Sequence, residues 1–421
     1  MLVQFTVGNF LSFYDRRTLN LEAKGISELK KNVISYNREK IVRSAVIYGA
    51  NSSGKSNLIR ALDRMREVVI RSVRLNDSDD LDYSPFLLST ESEKEPTYFE
   101  AVFWKEDIRY RYGFEYNEKN IVNEWLFSGK TKKNEKPFFI RTEDGIGVAD
   151  KFEEGIGKEE STNDNRLFIS LVAQLGGKIS KKVLEFFKDL NVLSGLDHND
   201  YNGFTLRMLH ENLDGCNESL ALFQKLNLGF KNVTTIETVF NPSELPEVLP
   251  EKIRSKLIKE LTGKTQVTMK TVHNKFDKKR NIVDQVFFDK SDNESEGTNK
   301  IIDLSGPIFD TLISGKVLII DELDAKLHAL ITINIVEIFN NPETNPNNAQ
   351  LIFATHDTNL LGEDLFRRDQ IWFTEKDDFE QTDLYSLYDF NLPDGGKVRN
   401  DSNIERNYIR GRYGAIPYIN N

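Results

Sequence analysis

The first residues whose types and spacing could do chemistry lie in GANSSGKSNL, Gly49 to Leu58. Gly49, Gly54, Lys55 and Ser56 fit G-x-x-x-x-G-K-[ST], the loop that cradles nucleotide phosphates. The glycines let the backbone N–H groups around Asn51, Ser52, Ser53 and Gly54 turn inward, with no Cβ between them and an anion. Lys55 would reach the β- and γ-phosphates, and the Ser56 hydroxyl would ligate Mg²⁺, with Asn57 beside it. A helix starting near Ser56 would point its positive end at the same place. A Gly/Ser-rich loop without a ligand would also fit the bare pattern. A buried strand before it and a helix after it separate the two readings.

A second stretch, VLIIDELDAKLH, would supply what the loop lacks. Four apolar residues, Val317 to Ile320, deliver Asp321 and Glu322 to a strand end. Asp321 would hold the Mg²⁺ shell. Glu322, one residue further and on the other side of the backbone, is placed to accept a proton from an attacking water. FATHD then brings His356 to the end of another apolar strand, where it could touch the γ-phosphate or orient the water. Alone, the acidic pair would read as a solvated turn and the histidine as structural.

These groups need elements to position them. Ala45 to Tyr48 run straight into the loop as a buried strand. Leu58, Leu62, Met65, Val69 and Val73 recur on one face of a following helix. The N-terminal Val3, Phe5 and Val7 alternate as in a half-buried strand, unlike a signal peptide. YFEAVFW, IRYRYGFEY and IVNEWLF read as an antiparallel meander, and the polar residues 127–165 as loops. Helical signals dominate 166–262, followed by a Lys-rich hairpin-like segment over 264–280. Leu327 to Ile338 mark a helix, with late strands at 371–373 and 384–387. The expected division is an N-terminal lobe over 1–165, a mainly helical insertion over 166–290 and a C-terminal lobe over 291–421. One α/β sheet would be built from both chain ends.

Bulk properties narrow the function. With 39% hydrophobic residues the 421-residue chain can build a sizeable core. Cys216 is the single cysteine, so an internal disulfide and a cysteine-based zinc site are excluded and a reducing cytoplasm is expected. No apolar run is long enough for a membrane helix. A net charge of -10 argues against coating nucleic acid by charge alone, though a local basic groove would escape that argument.

The loop, the distant Asp-Glu pair, the ELDAKLH turn and the THD histidine together resemble ATP-binding-cassette/SMC/RecF ATPases, as does FTVGNFLSF, residues 5–13, as a first strand. The resemblance implies an α/β P-loop NTPase fold of that type, ATP with Mg²⁺, and a dimer that sandwiches two nucleotides. It implies that Asp324 lies in a dimer-facing turn. It also implies that ESEGT, Glu294 to Thr298, is the signature that reaches the partner subunit's ATP, through Ser295 and Gly297. ESEGT departs from the LSGGQ form, and Gly306-Pro307 would break the helix behind it; the plainer reading is a polar loop capping a helix. Gln174 is a candidate for the glutamine that senses the γ-phosphate.

LFRRDQIWFTEKD, TDLYSLYDF and NYIRGRYGAIPYI, with the meander text, resemble a narrower group: AAA-type, SMC-like ATPases of anti-phage and abortive-infection loci, such as RloA-like and OLD-like proteins. This implies a sensor or scaffold ATPase, homo-oligomeric, controlling a separate effector such as a nuclease or toxin, with a phage-encoded trigger. The residues after His356 show no paired acidic motifs for a nuclease in the same chain. A RecF-like DNA repair ATPase, with nucleic acid bound, and an ATP-locked scaffold are the alternatives. Arg367, Arg368, Arg410 and Arg412 would serve docking or ordinary ion pairs.

Overall fold

Val3, Phe5 and Val7 do alternate along a strand, Leu2–Gly8, and their side chains are fully buried. In the computed structural model, which describes residues 1–197, 199–245, 248–362, 364–392, 395–399 and 401–417, this strand lies in a seven-stranded antiparallel sheet. Its order is Gly145–Val148, Lys136–Thr142, Ile121–Gly129, Ile108–Tyr116, Thr97–Lys105, Leu2–Gly8, Arg17–Asn20. The meander is thus longer than the sequence indicates: 136–148, expected as loop, adds a hairpin at the sheet edge. Most of that hairpin's side chains are exposed or half-exposed, so it carries no clear apolar alternation.

A second sheet carries the loop and the acidic pair. Its order is Leu190–Ser194, Val317–Asp321, Gln350–Ala354, Ser44–Gly49, Ile371–Lys376, Thr382–Ser386. All neighbours are parallel except the last pair, a hairpin. The strands on either side of the loop strand come from residues beyond 349, so the sheet is built from both chain ends as expected. The strand that delivers the loop is buried at all six positions, which suits a parallel strand covered on both faces. Leu58, Leu62, Met65 and Val69 of the helix Lys55–Arg71 pack into the same core.

One buried carboxylate ties the antiparallel sheet to the start of a helix. Glu124 is fully buried and accepts hydrogen bonds from the backbone N–H groups of Phe168 (2.6 Å) and Ile169 (3.0 Å) and from the Tyr112 hydroxyl (3.0 Å). It thereby satisfies two orphan donors at the start of the helix Phe168–Gln174. Burial pushes its pKa up, while the Arg141 guanidinium and these donors pull it back. Glu124→Ala is expected to destabilise the fold by about 3 kcal/mol, because it strands buried donors. Urea unfolding monitored by circular dichroism measures this; a loss below about 0.5 kcal/mol, the range of ordinary surface substitutions, would refute it.

The chain divides into two compact units, Met1–Leu196 with Ser314–Asn421, and Asp197–Ile313. The helices Phe168–Gln174 and Lys178–Lys188 and the strand Leu190–Ser194, read from the sequence as the start of the insertion, therefore belong to the first unit. The second unit is mixed rather than mainly helical. It has an antiparallel sheet of Asn232–Val239, Thr265–Phe276 and Ile282–Asp289, with the Lys-rich segment as its central strand and the turn that follows it. Phe223, Phe230, Val233, Met269 and Ile302 form its core.

Within that unit the helix Glu296–Ser314 runs unbroken through Gly306 and Pro307, against the sequence expectation. Proline at 307 leaves the Asp303 carbonyl without its intrahelical donor. The Thr205 hydroxyl donates to that carbonyl instead. A Cβ at Gly306 would sit 2.4 Å from Thr205 Oγ1, so glycine is what allows this helix crossing. Among the described residues, no helix is long and apolar enough to cross a membrane.

Candidate functional site

The loop leaves the buried strand at Gly49 and enters the helix at Lys55, the strand–loop–helix context that the motif needs. Both glycines are required by contact. A Cβ on Gly49 would meet Ser53 Oγ at 2.3 Å and the Thr374 carbonyl oxygen at 2.5 Å. Gly54 has φ 112°, and a Cβ there would lie 2.2 Å from Thr382 Oγ1. Thr374 and Thr382 belong to the C-terminal hairpin and staple the loop from outside. Thr374 Oγ1 is 2.7 Å from Ser53 Oγ, and Thr382 Oγ1 is 3.0 Å from the Ser53 carbonyl and 2.7 Å from Ser12 Oγ. Asn57 Nδ2 donates to that same Ser12 oxygen at 2.8 Å. The loop is therefore held by hydroxyls from both chain ends.

Gly54→Ala is expected to remove measurable binding of a fluorescent ATP analogue. The left-handed backbone disfavours a side chain by about 1–2 kcal/mol, and the Thr382 contact forces the loop to move. Unchanged affinity would show that the cradle tolerates relaxation at this point.

Lys55 is 5% exposed, and its Nζ donates to the carbonyls of Gly49 (2.8 Å) and Ala50 (3.0 Å). Burial lowers its pKa, opposed by Asp321, Glu322 and Asp324. Val317 to Ile320 are buried and bring the first of these carboxylates to the strand end. Glu322 then takes φ 55°, left-handed and uncommon for a side chain of this size. The turn places Glu322 on the cavity wall and buries Leu323. Asp321 Oδ1 and Asp324 Oδ1 are buried with no hydrogen-bond partner among the described residues. Asp324 Oδ2 accepts a long 3.4 Å hydrogen bond from the His356 backbone N–H, tying the acidic turn to the histidine turn.

A cavity of about 740 Å³ gathers the groups: Asn51 to Asn57 along one side, with Glu322, His356 and Lys376 also in its wall. Gly49 lies beneath the loop, against Thr374. A carboxylate oxygen left bare by burial is a poor arrangement unless a cation meets it. Asp321 with the Ser56 hydroxyl offers oxygen donors of the kind Mg²⁺ prefers. No group of three or more His, Cys, Asp or Glu side chains among the described residues could hold a metal by itself. Such an ion would therefore share its shell with phosphate oxygens, as in P-loop sites.

Ser295 and Gly297 lie in the other unit. Ser295 Oγ accepts from the Thr298 backbone N–H (3.1 Å), so Ser295 caps the helix Glu296–Ser314, with Gly297 in its first turn. They are not in the wall of the cavity. Nor is Gln174, exposed at the end of its helix. Arg367 is buried and bonded to Asp369 at 2.9 and 2.7 Å and to the Glu28 and Lys24 carbonyls at 2.7 and 3.0 Å. Arg368 pairs with Glu28. These two arginines are structural, whereas Arg410 and Arg412 are exposed.

Several contributors were not singled out from the sequence: Ser12, Thr374, Thr382 and Lys376, which lie in stretches read only for their resemblance, and Gly195, which lies in none. Gly195 follows the strand beside the acidic one and donates its N–H to the Asp321 carbonyl at 2.7 Å. Asp321 and Gly195 are far apart in sequence, so spacing could not link them.

Solved structures with some resemblance include an SMC head bound to the C-winged helix domain of ScpA, at 12% identity and a TM-score of 0.48 over 91% of this chain and 97% of that one. They also include the SMC head domain from Thermotoga maritima, at 12% identity and 0.41 over 91% and 98%. A third is the recombination mediator RecF with ATPrS, at 15% identity and 0.33 over 88% and 97%. A comparison with curated protein sequences gives no match. A family profile, by contrast, matches residues 44–362, from the first residue of the loop strand to just beyond the histidine turn. Its description is of an AAA domain and names the AbiEii toxin and the Type IV TA system. With most of its length inside that match, loop, acidic pair and histidine included, the chain belongs to this AAA domain family.

Proposed function

We propose that this protein is an ATPase whose copies sandwich ATP between them, and that it serves as sensor and scaffold of an anti-phage defence system, controlling a separate effector. The observation that carries the ATPase reading is one cavity holding the loop, Glu322 and His356, with the bare Asp321 oxygen one residue before Glu322 and its charge acting on Lys55. Backbone N–H groups of the loop and the Lys55 ammonium would bind the phosphates. Ser56 and Asp321 would hold Mg²⁺, which supplies charge neutralisation at the transferring phosphoryl group. Glu322 would orient the attacking water and take its proton. His356, exposed at its strand end, would face the terminal phosphate.

In this reading Ser295 and Gly297 of one copy complete the site of the other. A serine hydroxyl and the N–H groups of a helix's first turn suit a phosphate. The turn holding Asp324 would face the partner, and hydrolysis would reopen the pair. The defence role is supported by the family description, which names a toxin and a toxin–antitoxin system, and by the C-terminal resemblance. A phage-encoded trigger would bias the cycle and release the effector.

Light scattering of the Glu322→Gln variant tests the assembly. Its mass is expected to rise to at least that of a dimer on adding ATP and Mg²⁺ and to fall on dilution into nucleotide-free buffer. A mass that stays monomeric would remove the cross-subunit role of Ser295.

A further inference from the structure

The strand Ile371–Lys376 alternates its side chains between two faces. Thr374 faces the loop, 2.7 Å from Ser53 Oγ. Lys376, two residues on, lines the same cavity as Lys55, Glu322 and His356. It also lines an adjoining cavity of about 340 Å³ that shares Asn51, Ser52 and Ser53 with the first. Lys55 closes the loop at its helical end, and Lys376 stands at its opening half.

The intervening residue locks the strand end. Glu375 Oε2 is 3.0 Å from Tyr385 Oη, which is itself 2.8 Å from the Tyr413 carbonyl. A Cβ on Gly414 would lie 2.5 Å from that carboxylate oxygen, so the C-terminal segment packs closely on it. Lys376 is thus carried on a fixed backbone while its side chain is only loosely engaged. Its ion-pair partner is Glu380, 3.6 Å away and 69% exposed. A pair so open to solvent contributes little and yields readily to a more highly charged anion.

We propose that Lys376 is a second phosphate-binding cation of this site, contacting the terminal phosphate of a nucleoside triphosphate and so favouring the triphosphate over the diphosphate. The proposal rests on the nucleotide reading of the cavity. One buried ammonium faces a ligand whose charge grows with every phosphate, and a second cation at the far end of the loop meets the last of them. It also gives the C-terminal segment a task, since Glu375, Tyr385 and Tyr413 hold the backbone that presents Lys376.

The experiment is equilibrium binding of ATP and of ADP, each with Mg²⁺, to the full chain and to its Lys376→Gln, Lys376→Arg and Lys55→Ala variants. Lys376→Gln is expected to weaken ATP about tenfold, the scale of one charge-assisted hydrogen bond, and to leave ADP within about twofold. Lys376→Arg is expected to restore most of the difference. Lys55→Ala should weaken both nucleotides together. Equal affinities in wild type and Lys376→Gln, or an equal loss for ATP and ADP, would overturn the proposal. A wild type that binds neither nucleotide would instead overturn the reading of the cavity, and the proposal with it.

Discussion

Glu322→Gln is expected to lower steady-state phosphate release by about 10²-fold or more, with ATP affinity unchanged within a few-fold. Glutamine keeps the volume and the two terminal heavy atoms, so the left-handed turn at φ 55° and the buried Leu323 behind it should persist. It cannot accept a proton. Binding should survive because Glu322 is one of three carboxylates whose field acts on Lys55, and removing one negative charge beside bound phosphates does not weaken them. A loss in rate without a loss in affinity is the mark of a group that acts on the transition state. The measurement is coupled-assay phosphate release beside equilibrium ATP binding on the same preparations. A rate within threefold of wild type would take the general-base role from Glu322. His356, whose imidazole also stands on the cavity wall, would become the candidate.

Gly195→Ala should be nearly as damaging, though Gly195 is not in the cavity wall. A Cβ there would lie 2.0 Å from the Glu322 carbonyl oxygen and 2.6 Å from that of Asp321. Both are backbone atoms, so no side chain can swing away. The end of the acidic strand must move, and the hydrogen bond from the Gly195 N–H to the Asp321 carbonyl must stretch. Misplacing reacting groups by about 1 Å can lower a rate about 10²-fold. Phosphate release is therefore expected to fall by about 10–10²-fold. ATP affinity should change less, because the loop is stapled by Thr374, Thr382 and Ser12 rather than by this strand. The melting temperature should drop by a few degrees. Equal losses in binding and rate would mean that the whole sheet had shifted, and normal turnover would mean that the strand end relaxes freely.

The two variants differ in legibility. Glu322 stands out because four apolar residues followed by Asp-Glu describe a strand end over a few positions. The loop does so even more, since its glycines, lysine and serine are contiguous. The helix after it was readable from Leu58, Leu62, Met65 and Val69, because one buried face repeats every three to four residues. The hairpin 136–148 was not readable: the buried positions of its first strand are Phe139 and Arg141, one apolar and one charged, and its second strand has none, so no apolar alternation marks it. The strand Asn232–Val239 was missed for the same reason, with a single buried position. Gly306-Pro307 misled because local propensity counts the lost N–H but cannot see the Thr205 hydroxyl that replaces it.

Sequence by itself determined the local geometry of the proposed site wherever its groups come from neighbouring positions: the Gly49–Ser56 loop, the Asp321–Glu322 strand end and the strand that leads to His356. Local spacing sets those geometries, since a few residues of strand, turn or helix allow few conformations. Only the tertiary structure decided that Thr374, Thr382 and Ser12 clamp the loop, that Gly195 sets the height of the acidic strand, and that Lys376 joins the cavity. Ser12 and Thr382 meet across 370 positions of chain. Such contacts follow from which strands lie side by side in the folded sheets, and no periodicity or spacing within a window of sequence encodes them.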